Sequence, residues 1–242
     1  MTLLNLSKDK TLRQNFFKLI GADPIFSACT KREMERILKG AMYLGLVEGQ
    51  ILFCKGEWPQ NVYLIESGSI KIIWEVEASK EVVIRFVGKK TLVGMEGLFR
   101  EQKYKKSAIC VVPAKVYVIP NELIANLINS NITCYNGVID QLTKDLIYTR
   151  TRIVSLAQKT ASQRLAESLL LLYNFFGIDG QKQVKTKVKP VDLVSIAGTT
   201  LGNLYKLLVL FESMGLIKYK NNLLVLLDIR KLSRIAEAEL PI

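Results

Sequence analysis

The 242 residues suffice for one large domain or two small ones with apolar cores, and the 49% hydrophobic content excludes wholesale disorder. The absence of histidine removes the commonest acid–base residue, the commonest metal ligand and any His-ligated haem. A net charge of +12 favours a polyanionic partner, nucleic acid ahead of an anionic membrane.

Residues 1–45 read as helical, with "LRQNFFKLI" and "KREMERILKG" interrupted at Asp23-Pro24. From 46 to 120 the character changes to short β-branched and aromatic runs: "ILFC", "NVYLI", "SIKIIWEV", "EVVIRFV", "AICVV" and "KVYVI". Turn signals separate them at Lys55-Gly56, Ser67-Gly68-Ser69, Gly88-Lys89 and Pro113-Ala114. Short strands at this spacing predict an antiparallel barrel or roll.

After Pro120, "PNELIANLINS" predicts a short helix, and a long helix follows. Ile132, Tyr135, Ile139, Leu142, Leu146, Thr149, Ile153 and Leu156 recur in alternating steps of three and four. That is a heptad seam, the pattern by which one helix lies along a partner helix. It predicts a homodimer, with Thr149 as a polar guest in the stripe. The alternative is a helix lying along its own domain.

From 160 onward, "ASQRLAESLLLLYNFF" predicts an amphipathic helix stopped by Gly177, and "KQVKTKVKP" is polar and β-like. "VDLVSIAG" and "TLGNLYKLLVLFESMG" then have helix-turn-helix spacing. Gly198 stands where a left-handed residue is needed, and Thr199 and Thr200 can cap the second helix. Leu193, Ile196 and Ala197 face inward from the first helix, and Leu204, Leu207, Leu208 and Phe211 from the second. Asn221-Asn222 suits a two-residue hairpin turn, so "LIKYKNNLLVLLD" predicts a wing. "IRKLSRIAEAEL" closes the chain as a helix.

A winged helix places its second helix in the DNA major groove. The residues offered for that role are Thr199, Thr200, Leu201, Gly202, Asn203 and Lys206. Of these, Asn203 and Lys206 are base-reading types, and the threonines suit phosphate. The face is thin in readers. A ligand- or protein-binding module whose winged helix has lost specific DNA binding is therefore the alternative function. Charge does not locate the binding face: residues 160–242 carry 11 Lys/Arg against 7 Asp/Glu, and the earlier part is also basic.

The four cysteines, Cys29, Cys54, Cys110 and Cys134, form no CxxC pair and read as reduced, packed thiols. No nucleophile–base pair or metal cluster stands out, so an enzyme is not expected, and neither is a metal. No apolar run is long enough for a membrane span and no signal-peptide pattern opens the chain, so a cytoplasmic protein without a membrane partner is expected.

The order of roll, long helix and winged helix resembles the CRP/FNR family, that of the catabolite activator protein and the fumarate–nitrate regulators. The segments carrying the resemblance are "KGEWPQNVYLIESGSIKI", "VGMEGLF…KKSA" and "IAGTT…LLVLFESMGLI". It implies an α+β fold: a cyclic-nucleotide-binding-like β-roll (double-stranded β-helix or jelly roll) with N-terminal helices over 1–130, a dimerisation helix over 131–157, and a winged helix-turn-helix over 158–242. It further implies a homodimeric transcription regulator with double-stranded DNA and RNA polymerase as partners. The ligand pocket maps to Gly94, Met95, Glu96, Gly97, Lys106, Ser107 and Ala108.

The departures from the family are specific. Its cyclic-nucleotide members place a Glu directly after the first glycine and an Arg before Ser-Ala. Here Met95 and Lys106 hold those places, and Glu96 comes one residue late. In an extended backbone that shift turns Glu96 to the opposite face. A lysine also lacks the guanidinium fork that suits a phosphate. Cyclic AMP is therefore not expected to bind. A different small-molecule effector against Met95, or activity without any ligand, both fit. The cysteine clustering of the iron–sulfur members and the histidine of the haem members are absent, so no cofactor is expected. The groove-facing Arg-Glu pair and second Arg of the family's activator correspond to Leu201, Gly202 and Lys206, so its usual target sequence is not implied.

Overall fold

The computed structural model describes residues 3–5, 9–21, 23, 25–77, 80–99 and 102–237. Pro24, one half of the expected Asp23-Pro24 break, lies outside them. The chain divides into two units, Met1–Lys80 with Ile84–Ile147, and Glu81–Val83 with Tyr148–Ile242.

The first unit is built on a seven-stranded antiparallel sheet. Its strands are β1 (Leu3–Asn5), β2 (Met42–Leu46), β3 (Ile51–Phe53), β4 (Asn61–Glu77), β5 (Lys80–Gly88), β6 (Leu92–Val93) and β7 (Ser107–Pro120). The order is β1-β2-β7-β4-β5, with β3 also paired to β7 and β6 to β4. The helices are α1 (Lys10–Ile20), α2 (Lys31–Gly40), α3 (Asn121–Ser130) and the first part of α4 (Ile132–Gln158).

Among the described residues, apolar side chains gather in a helical core and a roll core. Phe16, Ile20, Ile37, Ile124 and Leu127 from the helices pack on Tyr43, Leu64 and Tyr117 of the sheet. The roll's own interior is filled by Leu46, Phe53, Ile70, Ile72, Val87, Tyr104 and Val116. The hydroxyls of Tyr43 and Tyr117 donate to Glu66, at 2.6 and 2.8 Å.

Three readings from sequence are corrected here. Residues 42–45 belong to a strand rather than a helix, because Met42–Leu46 pairs along Ala114–Val118 of β7. Residues 3–5 are likewise strand, paired to β2. Ser67-Gly68-Ser69 and Pro113-Ala114 do not end strands: β4 and β7 run through both places, still paired, with register shifts between Ile65 and Ile70. The two places are one feature. Gly68 has φ +81°, and a Cβ there would lie 2.3 Å from the Pro113 carbonyl oxygen. The glycine therefore lets one long strand bend tightly over the other.

The second unit contains the rest of α4, α5 (Ala161–Phe176), α6 (Pro190–Ala197), α7 (Leu201–Ser213), β8 (Ile217–Lys220), β9 (Leu223–Leu226) and α8 (Ile229–Glu237). Thr160 and Gln163 form a capping box at the start of α5, and Gly177 ends it. "KQVKTKVKP" makes only isolated bridges, Ile178 to Val184 and Gln183 to Val225, so the β-like reading is corrected to a loop laid along the hairpin.

Candidate functional site

Three places collect the residues singled out in the sequence: the roll cavity, one stripe of α4, and the winged helix.

The roll cavity holds about 260 Å³ and is lined by Ile72, Arg85, Met95, Glu96, Lys106 and Leu142, among others. Its floor is not extended backbone. Gly94, at φ +84°, opens a single 3₁₀ turn over Met95–Leu98. The turn corrects the expectation drawn from a straight strand. Met95 is buried in the helical core, and Glu96 reaches the cavity, where it forms an ion pair with Lys106. The second carboxylate oxygen of Glu96 is buried without a hydrogen-bond partner.

Gly97 does not line the cavity. It sits against α3, where a Cβ would lie 2.3 Å from Asn121 Nδ2. Ser107 is also withdrawn: its Oγ accepts from Lys55 N at 2.9 Å and donates to Glu75 at 2.5 Å. Ala108 is fully buried in the roll. Gly94, Met95, Glu96 and Lys106 are thus brought together, while Gly97, Ser107 and Ala108 shape the surroundings.

Two cavity residues, Arg85 and Asp145, and one residue of the roll core, Tyr104, escaped the sequence reading. Arg85 of β5 pairs with Asp145 of α4, which also accepts from Gln141 Nε2 at 3.0 Å. Tyr104 sits inside a run that reads as basic and exposed, yet it is buried, stacked on Phe53 at 4.2 Å between ring centres. Burial pushes its hydroxyl well above the ordinary tyrosine range. An arginine inside "EVVIRFV" was the available signal for Arg85.

Along α4, Cys134, Val138, Gln141, Asp145, Tyr148, Arg152 and Ser155 form the sheltered stripe. The heptad stripe from Ile132 to Leu156 lies about 100° round the helix from it. Every member of that stripe, Thr149 included, is exposed, from Leu142 at 39% to Ile132 at 71%.

In the second unit α6 and α7 meet at 95°. Gly198 is left-handed, with φ 58° and ψ 49°, and Thr200 Oγ1 accepts from Asn203 N at the start of α7. Thr199 does not cap; its Oγ1 accepts from Asn203 Nδ2 at 2.8 Å. Arg164 of α5 clamps the turn, donating to the carbonyls of Ala197 and Gly198 at 2.8 and 2.9 Å. Leu204, Leu208 and Phe211 are buried, while Leu207 is only half-buried. Leu201, Gly202, Tyr205, Lys206 and Val209 are exposed.

Asn221 and Asn222 have φ of 53° and 63°, the two positive values of a type I′ turn, and join β8 to β9 as a wing. Tyr219 Oη donates to the Val188 carbonyl at 2.7 Å, and burial pushes that hydroxyl up to about 12.

A model of the cyclic nucleotide-binding domain matches residues 45–131. Electron transport regulator A of Shewanella oneidensis is 24% identical over 191 residues, 78% of this chain and 76% of its own. The cAMP-activated global transcriptional regulator CRP of Salmonella typhimurium is 24% identical over 184 residues, 74% of this chain and 86% of its own. A CRP/FNR-family transcriptional regulator from Thermus thermophilus shares the fold, with a TM-score of 0.70 at 20% identity over 81% of this chain and 98% of that one. The chain is thus similar to transcriptional regulators of the CRP/FNR family and shares their fold.

Within the region that matches the cyclic nucleotide-binding domain, Glu96 and Lys106 form an ion pair on the wall of the roll. The chain's cysteines are dispersed. Cys29 and Cys134 touch in the helical core, with sulfurs 3.4 Å apart, whereas Cys110 lies in the roll core and Cys54 follows β3. This arrangement does not fit a four-thiolate cluster. Among the described residues no single helix is long and apolar enough to cross a membrane.

Proposed function

We propose that this chain is a homodimeric, cytoplasmic, sequence-specific DNA-binding regulator of the CRP/FNR family that acts with RNA polymerase and does not bind cyclic AMP. The observation that carries the reading is the winged helix: two helices at 95°, a left-handed Gly198, a Thr200 cap and an Asn-Asn wing. Helices crossing at this angle suit a second helix entering the major groove. Exposed lysines at 185, 187, 206, 218 and 220 supply charge for phosphate. The exposed heptad stripe of α4 supports a two-chain assembly.

The cavity supports the exclusion of cyclic AMP. Its volume falls below the usual range for small-molecule sites, roughly 300–1,000 Å³. Its charged side chains, Arg85 with Asp145 and Glu96 with Lys106, are already paired. A cyclic phosphate would have to draw Lys106 from Glu96 and leave a carboxylate facing an anion. An effector suited to this wall is small, uncharged and able to donate a hydrogen bond to the unpartnered oxygen of Glu96.

The test is a gel shift with the duplex upstream of its own gene, over a salt series. Retardation that weakens with salt is expected, and Lys206→Ala lowers the slope by about one if Lys206 meets phosphate. No retarded species at low salt would remove this reading. It would favour instead a module whose winged helix has lost DNA, a reading that the engagement of Asn203 with Thr199 also favours.

A further inference from the structure

The exposed face of α7 has its own chemistry. Leu201, Tyr205 and Val209 fall four residues apart on one stripe and are 46%, 48% and 65% exposed. In the first two turns Lys206 is the one charged side chain. Such a surface has no guanidinium fork with which to read guanine, and the Asn203 amide is engaged by Thr199. What a major-groove edge offers an apolar side chain is the C5-methyl group of thymine.

A second observation concerns Gly202, the second residue of α7. A Cβ built there meets no atom within 4 Å, and its φ is not positive. Glycine in a helix is disfavoured relative to alanine by up to about 1 kcal/mol. Nothing in the described chain around it requires the missing side chain. At the leading end of the helix, next to Leu201, the gap leaves room for a base edge to come close to the backbone.

The surroundings select a polyanion over an apolar protein surface. Lys220 and Asn221 of the wing share a groove with Tyr205 and Val209; its carboxylate, Glu212, is held by the Tyr219 backbone N–H at 2.7 Å. Exposed Lys187 and Lys218 stand on the loop before α6 and on β8. A DNA edge bearing methyl groups between two phosphate backbones matches an apolar stripe flanked by lysines.

We propose that α7 reads an A·T-rich half-site through thymine methyl groups, with Leu201, Tyr205 and Val209 as the contacts and Gly202 as the gap that admits the base edge. The proposal rests on the DNA-binding reading above.

The test begins with selection of duplexes from a random pool by the full chain. Each thymine in the selected half-site is then replaced by deoxyuridine, which keeps the pairing and removes only the methyl. A·T-rich sites are expected, with binding about fourfold weaker for each contacted thymine, the worth of one buried methyl-sized group. Leu201→Ala, an exposed change, abolishes the thymine–uracil difference at one position and keeps it at the others. Gly202→Ala leaves thermal stability unchanged or higher and weakens binding about tenfold, as overpacking at a close contact does.

Selected sites rich in G·C, or equal affinity for thymine and uracil throughout, overturn the proposal while leaving DNA binding in place. Parental affinity in Gly202→Ala overturns the role given to the gap. If no duplex is retained at low salt, the DNA-binding reading fails and this one with it.

Discussion

Lys106 neutralises Glu96 on the wall of the roll cavity. The pair is partly sheltered, with side chains 26% and 31% exposed. Removing one partner therefore costs more than breaking a surface ion pair and less than stranding a fully buried charge. Lys106→Met is expected to lower stability by about 1–2 kcal/mol. Adding Glu96→Gln should recover most of that loss, measured by urea denaturation. Calorimetry of the parent with cyclic AMP should show no binding at micromolar concentration; tight binding would contradict the closed pair.

The bend shared by β4 and β7 makes Gly68 a demanding position. Gly68→Ala combines a left-handed backbone with a Cβ 2.3 Å from a carbonyl oxygen. A loss of more than about 2 kcal/mol is expected. The contrast with Gly202→Ala, which should leave the fold intact, is measurable by thermal melting of the two variants side by side.

Ile139 and Leu146 are 42% and 49% exposed on the heptad stripe of α4. Ile139→Glu with Leu146→Glu puts like charges on the seam without disturbing the sheltered stripe. Light scattering should read a dimer for the parent and a monomer for the variant, with unchanged circular dichroism. A parent that is already monomeric would remove the seam's proposed role.

Burial pushes the thiols of Cys29, Cys110 and Cys134 up, and all three are buried. Cys54, also shifted upward by burial, is less enclosed. Because the thiolate is the reactive form, an aromatic disulfide reagent should label about one thiol quickly and the rest only on unfolding. Rapid labelling of three or four would show that the helical core opens readily.

Hydrogen bonds from the Thr30 backbone and then its hydroxyl hold the Glu33 carboxyl below the usual carboxylate range. A depressed carboxyl contributes stability above its unfolded value, and that contribution is lost as pH falls through the lower folded value. Glu33→Gln should therefore be less stable than the parent at neutral pH and converge with it in acid. Denaturation midpoints at several pH values would show whether the gap closes.

The winged helix was legible because its signals are local. Gly198, Thr200 and Asn221-Asn222 act within a few residues of themselves, and each does so in the structure. The roll was legible in its strands but not in its bends. Ser67-Gly68 and Pro113-Ala114 carry turn residues, yet whether such residues end a strand or bend it depends on what lies opposite, here each other. Glu96 was misplaced for a similar reason. Its direction follows from the φ of Gly94 and the 3₁₀ turn it starts, neither of which the spacing of Gly, Met and Glu reveals. Arg85 and Asp145 are distant in sequence and become partners only through the packing of β5 near α4.

Leu142 belongs both to the exposed stripe of α4 and to the wall of the roll cavity. A small molecule in the roll and a second chain on α4 would then draw on the same side chain, and their binding equilibria would be linked. Linkage runs equally in both directions: whatever factor an occupant of the cavity applies to self-association, self-association applies to the occupant's affinity. A titration at several protein concentrations would thus expose an effector through the concentration dependence of its apparent affinity, before its place of binding is known.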